Sequence, residues 1–132
     1  MHRAYTFRLQ PTVGQRARLG ELLGAMCELY NAALEERRGA WRWERRRVTR
    51  YQQFKELTGL EWAPLATYGV TVARGTLVRL DEAFNGFFRR VAAGTKPGYP
   101  RFKARRRFDS VSWPDRSGWG FDPERSACAS RA

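Results

Sequence analysis

Cysteine, histidine and lysine are scarce in this 132-residue chain, and long apolar runs are missing. The two cysteines, Cys27 within a helical pattern and Cys128 near the end, make neither a disulfide framework nor a metal-ligand spacing, so free thiols are expected. His2 is the one histidine, which leaves no base for a nucleophilic triad. No stretch approaches the roughly 18 uncharged residues of a membrane span, and the start lacks the apolar segment of a secretory signal. A soluble, cytoplasmic protein is the expectation. Acidic residues are absent between Glu82 and Asp109, whereas Mg²⁺-dependent phosphoryl chemistry gathers several carboxylates. The adjacent pairs Glu35-Glu36 and Asp81-Glu82 point about 100° apart on a helix and converge on no common site. Neither a P-loop nor a Gly-x-Gly-x-x-Gly pattern occurs. No catalytic residue, no metal site, no cofactor and no small-molecule substrate are therefore expected.

What the chain has in abundance is positive charge. Lys and Arg number 25 against 13 acids, a net charge of +12, and such an excess calls for a polyanionic partner, nucleic acid first. Among the basic residues three are lysine (Lys55, Lys96, Lys103) and 22 are arginine, consistent with guanidinium forks for phosphate or with GC-rich coding. Hydrophobic residues at 42% and aromatics at 14% suffice for one folded core, and the length suits a single domain.

Tyr5, Phe7 and Leu9 alternate with polar residues up to Pro11, which predicts a strand over 4–10. Thr12 and Gln15 form a capping box, and Leu19, Leu22, Met26, Leu29, Tyr30 and Ala33 follow at helical spacing, predicting a helix over 13–38 despite Gly20 and Gly24. A second box, Thr49 and Gln52, opens a helix over 50–58 closed by Gly59. Residues 60–69 read as a loop. Val70, Ala73, Leu77, Leu80, Phe84, Phe87, Phe88 and Val91 mark a third helix with a wide stripe read as core, stopped by Gly94. Beyond a basic arm, Phe108 to Trp113 and Trp119 to Phe121 flank a turn and predict a hairpin. The expected fold is α+β and predominantly α-helical: a three-helix bundle with an N-terminal strand and a C-terminal hairpin. Residues 1–122 would form one nucleic-acid-binding domain, with a helical lobe over 13–94 and the basic arm and hairpin over 98–122. Residues 123–132 would be a disordered tail.

Two cation-dense stretches are the candidate binding residues. The first holds Arg37, Arg38, Arg42, Arg45, Arg46, Arg47 and Arg50, with Glu44 between them and with Trp41 and Trp43 interleaved. Indole faces beside guanidinium groups suit base stacking or cation–π pairing within the protein. The second lies in the acid-free segment 89–107 and holds Lys96, Tyr99, Arg101, Phe102, Lys103, Arg105, Arg106 and Arg107. Its aromatics either face a nucleic-acid strand or pack inward with the cations outside. The long spacer over 39–48 gives little support to a short helix-turn-helix reader.

Four motifs in order carry a resemblance: Tyr5-Thr6-Phe7-Arg8-Leu9-Gln10-Pro11-Thr12, Tyr30-Asn31-Ala32-Ala33-Leu34-Glu35, Leu80-Asp81-Glu82-Ala83-Phe84-Asn85-Gly86-Phe87-Phe88, and Gly98-Tyr99-Pro100-Arg101-Phe102-Lys103. Together they resemble the N-terminal region of the transposon-encoded TnpB, or OrfB-type, family of RNA-guided DNA nucleases, whose N-terminal part is labelled a helix-turn-helix domain. The resemblance implies an opening strand in a wedge-like barrel, incomplete in this chain, and helices against a guide–target heteroduplex. It further implies a return to the barrel near RNA at Tyr99, Arg101, Phe102 and Lys103. Tyr30 is read as core and Asn31 as a polar anchor. The family continues into a nuclease domain with Mg²⁺-binding carboxylates and a zinc site that this sequence does not contain. A truncated member that binds guide-type RNA or DNA, associated with DNA transposition and without catalysis, is the expectation. A stand-alone DNA-binding regulator and an inactive remnant are the alternatives.

Overall fold

In a computed structural model, residues 3–114 are described throughout, together with the strands at 119–122 and 127–130. The capping boxes act as local start signals. At Thr12 the hydroxyl accepts from the Gln15 amide and Gln15 Oε1 accepts from the Thr12 amide, opening α1, Val13–Glu44. The same exchange between Thr49 and Gln52 opens α2, Arg50–Thr58. Two further helices follow, α3 at Ala63–Tyr68 and α4 at Val70–Ala92.

α1 runs past Gly39 to Glu44, six residues beyond the predicted end. Arg37 and Ala40 pack inward on either side of that glycine, and packing of this kind outweighs a helix-propensity loss of about 1 kcal/mol. The helix ends at Arg45, which takes the left-handed conformation (φ 51°). The Arg45 and Arg46 amides then donate to Trp41 and Ala40 carbonyls, satisfying acceptors that a helix end otherwise leaves open. α3 falls in the stretch read as a loop. Pro64 occupies its first turn, where a missing N–H is harmless, and Gly69 at φ 91° breaks it from α4.

α1 and α4 lie side by side and run in the same direction. Arg37 meets Asp81 and Phe84, while Trp41 and Val91 share one groove. Leu22, Met26, Tyr30 and Leu34 of α1 interlock with Val72, Leu77, Leu80 and Phe84 of α4, with Leu57 of α2 closing the side. Burying each large side chain of this kind is worth about 1.5–3 kcal/mol.

The chain then turns and runs back along these helices. Tyr99 packs edge-on against Phe84 and Phe87, and Phe108 is buried against Tyr30 with ring centroids 6.1 Å apart. Burial raises the Tyr30 pKa, opposed by the nearby Arg79 charge. Asn31 clamps this return segment, since its Nδ2 donates to the Lys103 carbonyl at 2.9 Å and its Oδ1 accepts from the Lys103 amide at 2.8 Å. The Cys27 thiol also donates to that carbonyl, at 3.3 Å.

The expected α+β fold is thus corrected. Among the described residues four α-helices replace three, and residues 4–10 form no strand. A strand is held by a neighbour's N–H and C=O groups, and no strand among the described residues pairs with this segment. Tyr5, Phe7 and Leu9 are accordingly 72%, 66% and 64% exposed. The predicted hairpin does not form either. Phe108, Val111 and Trp113 pack on the helical core, while the Ser110 carbonyl accepts from Arg79. Side-chain burial therefore takes the place of a ladder. β1, Trp119–Asp122, instead pairs antiparallel with β2, Ala127–Ser130. The latter lies in the stretch expected to be a disordered tail; the turn residues 115–118 and the tail residues 123–126 and 131–132 lie outside the described residues. Two short strands make no barrel.

Candidate nucleic-acid interface

The first cation block covers the last turns of α1, the connection to α2 and the first residue of α2. Helical geometry turns its members in different directions. Arg37 points inward and is 8% exposed. Its Nε donates to Gln53 Oε1 at 2.9 Å, and both terminal nitrogens reach Asp81 Oδ1 at 3.3 and 3.2 Å. Gln53 is itself held by the Ala33 carbonyl at 3.0 Å. Arg37 is thereby a structural tie between α1, α2 and α4. Arg50 stands 4.0 Å from the same aspartate and donates to the Tyr51 hydroxyl, which raises its pKa. Arg46 pairs with Glu44 at 2.9 Å, with the same effect on its pKa.

The other arginines of the block face outward and rest on rings. Arg38 lies over Phe102 and Tyr99, 5.1 and 5.9 Å from their centroids. Arg42 lies over Trp43 at 5.2 Å, Arg45 over Trp41 at 5.5 Å and Arg47 over Phe88 at 4.5 Å. Among the described residues none of these four has a carboxylate within 4.0 Å. A ring face orients a guanidinium through its quadrupole and leaves the charge un-neutralised. Their charge therefore remains available to an external anion.

Between these arginines and the end of α4 is an open groove of about 600 Å³, walled by Trp41, Phe84, Phe87, Phe88, Val91 and Tyr99, with Arg46 and Arg47 also lining it. Phe88 and Val91 were expected in the core. They are 41% and 52% exposed, because the apolar stripe of α4 outruns what α1 can cover. That excess width, visible at the C-terminal end of the stripe, was the available sequence signal. Burial raises the Tyr99 pKa against the opposing charges of Arg38 and Arg37, so its hydroxyl stays protonated.

The second cation block divides. Tyr99 and Phe102 join the groove side through Arg38, and Lys96 and Arg101 are exposed nearby in sequence. Lys103 is half-buried at the Asn31 clamp. Arg105 lies back on α1, donating from Nη2 to the Gly20 carbonyl at 2.6 Å, and a Cβ on Gly24 would come within 3.1 Å of its Nε. The two glycines that weaken α1 locally are thus where an arginine lies against its backbone. Arg106 and Arg107 are exposed in a 3-10 turn, Arg105–Arg107. With Arg105 at Gly20, this turn is some 20 residues of helix, about 30 Å, from Trp41. Sequence reasoning missed Arg79, which covers Phe108 at 4.9 Å and bonds Ser110, and Arg90, which holds the Pro97 and Gly98 carbonyls.

Among the described residues no helix is long and apolar enough to cross a membrane. A helix-turn-helix domain model of the OrfB/IS605 group matches residues 1–47. A Streptomyces pristinaespiralis protein named "Putative RNA-guided DNA endonuclease" is 35% identical over 111 residues, covering 80% of this chain and 26% of that protein. The chain thus spans about a quarter of that relative's length. Within 13–44 the matched region is one unbroken helix, and the turn that follows, 45–49, leads into α2. The matched domain is of a DNA-binding, transposase-related class. With the four ordered motifs of the sequence, these matches make the chain similar to the N-terminal region of TnpB/OrfB proteins.

Proposed function

We propose that this chain binds nucleic acid, guide-type RNA or DNA, through outward arginines, and contributes contact rather than chemistry to a TnpB-like protein. One observation carries the reading. Arg38, Arg42, Arg45 and Arg47 come from the last turns of α1 and the connection that follows it, each seated on an aromatic ring and none paired to a carboxylate among the described residues. Arg101, Arg106 and Arg107 add exposed charge along the return segment. The RNA-guided DNA endonuclease name of the relative supports both kinds of nucleic acid as ligands. Arg37 is left out of the contact set because its donors are occupied within the fold.

Binding to structured RNA, single-stranded DNA and duplex DNA at several salt concentrations tests this. Engagement of about five phosphates gives a log–log salt slope near −4 to −5 on duplex DNA, and somewhat shallower on single strands. Reversing Arg42, Arg47 and Arg101 to Glu should weaken binding to every ligand and flatten the slope by about 3. An unchanged affinity in that triple variant would remove these residues from the interface.

A further inference from the structure

The groove at the end of α1 and α4 has a composition that phosphate binding alone does not require. Its walls are aromatic and aliphatic: Trp41, Phe87, Phe88, Val91 and Tyr99, with Phe84 behind. Trp41 and Phe88 leave 49% and 41% of their surface in water. Concave sites walled by aromatic and aliphatic side chains with a few convergent charged groups are where ligands bind, and the volume of about 600 Å³ lies within the roughly 300–1,000 Å³ of such pockets. Arg46 and Arg47 line the same groove, and Arg45 sits over Trp41. The complementary occupant is flat, apolar on its faces, and attached to negative charge.

We infer that this groove accepts a single unstacked base of a nucleic-acid strand, its flanking phosphates lying on the arginines at the rim. The inference rests on the nucleic-acid reading above and adds a preference for unpaired nucleotides. A base within a duplex is already stacked on both faces and cannot enter without leaving the helix. An unpaired base gains ring contacts at little cost. Arg47, at 4.5 Å from the Phe88 centroid, offers a planar guanidinium as one stacking layer and a charge for the adjacent phosphate in the same group.

The test uses the full chain and a single-stranded DNA oligonucleotide with one 2-aminopurine, alongside the same sequence as a duplex. We expect binding of the single strand about tenfold tighter than of the duplex, with 2-aminopurine emission quenched on binding. Phe88→Ala removes a stacking wall and Val91→Phe fills the groove at a half-exposed position. Each should lower single-strand affinity about tenfold and restore emission; in Val91→Phe, which removes no ring that carries an arginine, the salt slope should be unchanged. Circular dichroism checks that both variants keep their helices. Equal affinity for single strand and duplex with unquenched emission overturns the inference, and so does wild-type quenching in both variants. In those cases salt-dependent binding would persist and the broader reading would stand. Absence of binding to any oligonucleotide overturns both.

Discussion

Glycines at 39 and 75 both sit inside long helices, and the same change to Ala at each should move stability in opposite directions. At Gly39 in α1 an added Cβ meets nothing within 4 Å, so only helix propensity acts and Gly39→Ala should stabilise by about 1 kcal/mol. At Gly75 in α4 the Cβ would lie 2.4 Å from the Ser112 carbonyl oxygen, 2.7 Å from Ser112 Oγ and 3.2 Å from Pro114 Cδ. The obstructing atom is backbone and cannot rotate aside. Accommodation must push the return segment off α4, an overpacking penalty of about 3 kcal/mol at the upper end of such changes. After the propensity gain, Gly75→Ala should be destabilised by about 2 kcal/mol. Thermal melts followed by far-UV circular dichroism would show Gly39→Ala raised by about 4 °C and Gly75→Ala lowered by about twice that. Equal melting temperatures for the two variants would refute the close approach of Ser112 to α4, and with it the path of the basic segment over the helices.

Arg37→Ala should destabilise by about 2 kcal/mol, because it leaves the buried Gln53 Oε1 without its donor and Asp81 Oδ1 without its charged partner, while Arg50 and Asn85 stay on Asp81 Oδ2; urea titration would show this, and a loss below about 0.5 kcal/mol would return Arg37 to the surface. Asn31→Ala removes both bonds to the Lys103 backbone and should cost about 2 kcal/mol, with faster hydrogen exchange at the Lys103 amide than at α4 amides. Glu56 has a raised pKa, first from its hydrogen bond to Glu36, then from burial and the Glu36 charge, with Arg46 opposing. The folded state therefore holds the Glu56 proton more tightly than the unfolded chain, and that contribution is complete below the unfolded value and lost as pH rises through the folded one. Glu56→Gln should accordingly melt higher than the parent at neutral pH, and the gap should close as the solution is acidified toward about pH 4; a gap independent of pH would contradict the shared-proton contact.

The starts of α1 and α2 were legible because they are local. Thr12 with Gln15 and Thr49 with Gln52 close their bonds within one turn, so no distant partner is needed. The α4 stripe was legible as a helix for the same reason, although its outer half was not legible as a groove. Strand 4–10 was misread because alternation at Tyr5, Phe7 and Leu9 reports a chain able to pair, while pairing needs an edge that no described residue supplies. The path of residues 99–113 was illegible, since Asn31 and Lys103 are 72 positions apart and Gly75 meets Ser112 only after the chain has reversed.

Taken alone, the order of amino acids determined the helical character, the two capped helix starts, the positive charge and the likeness to TnpB/OrfB proteins. Which arginines meet solvent was decided by tertiary packing. Arg37 and Arg38 are neighbours in the chain, yet the first is enclosed by Gln53, Asp81 and Phe84 and the second lies on Phe102 and Tyr99. Spacing along a helix sets the angle at which a side chain leaves its own axis. What stands opposite that side chain depends on α2, α4 and the returning segment, whose positions follow from contacts across the whole molecule.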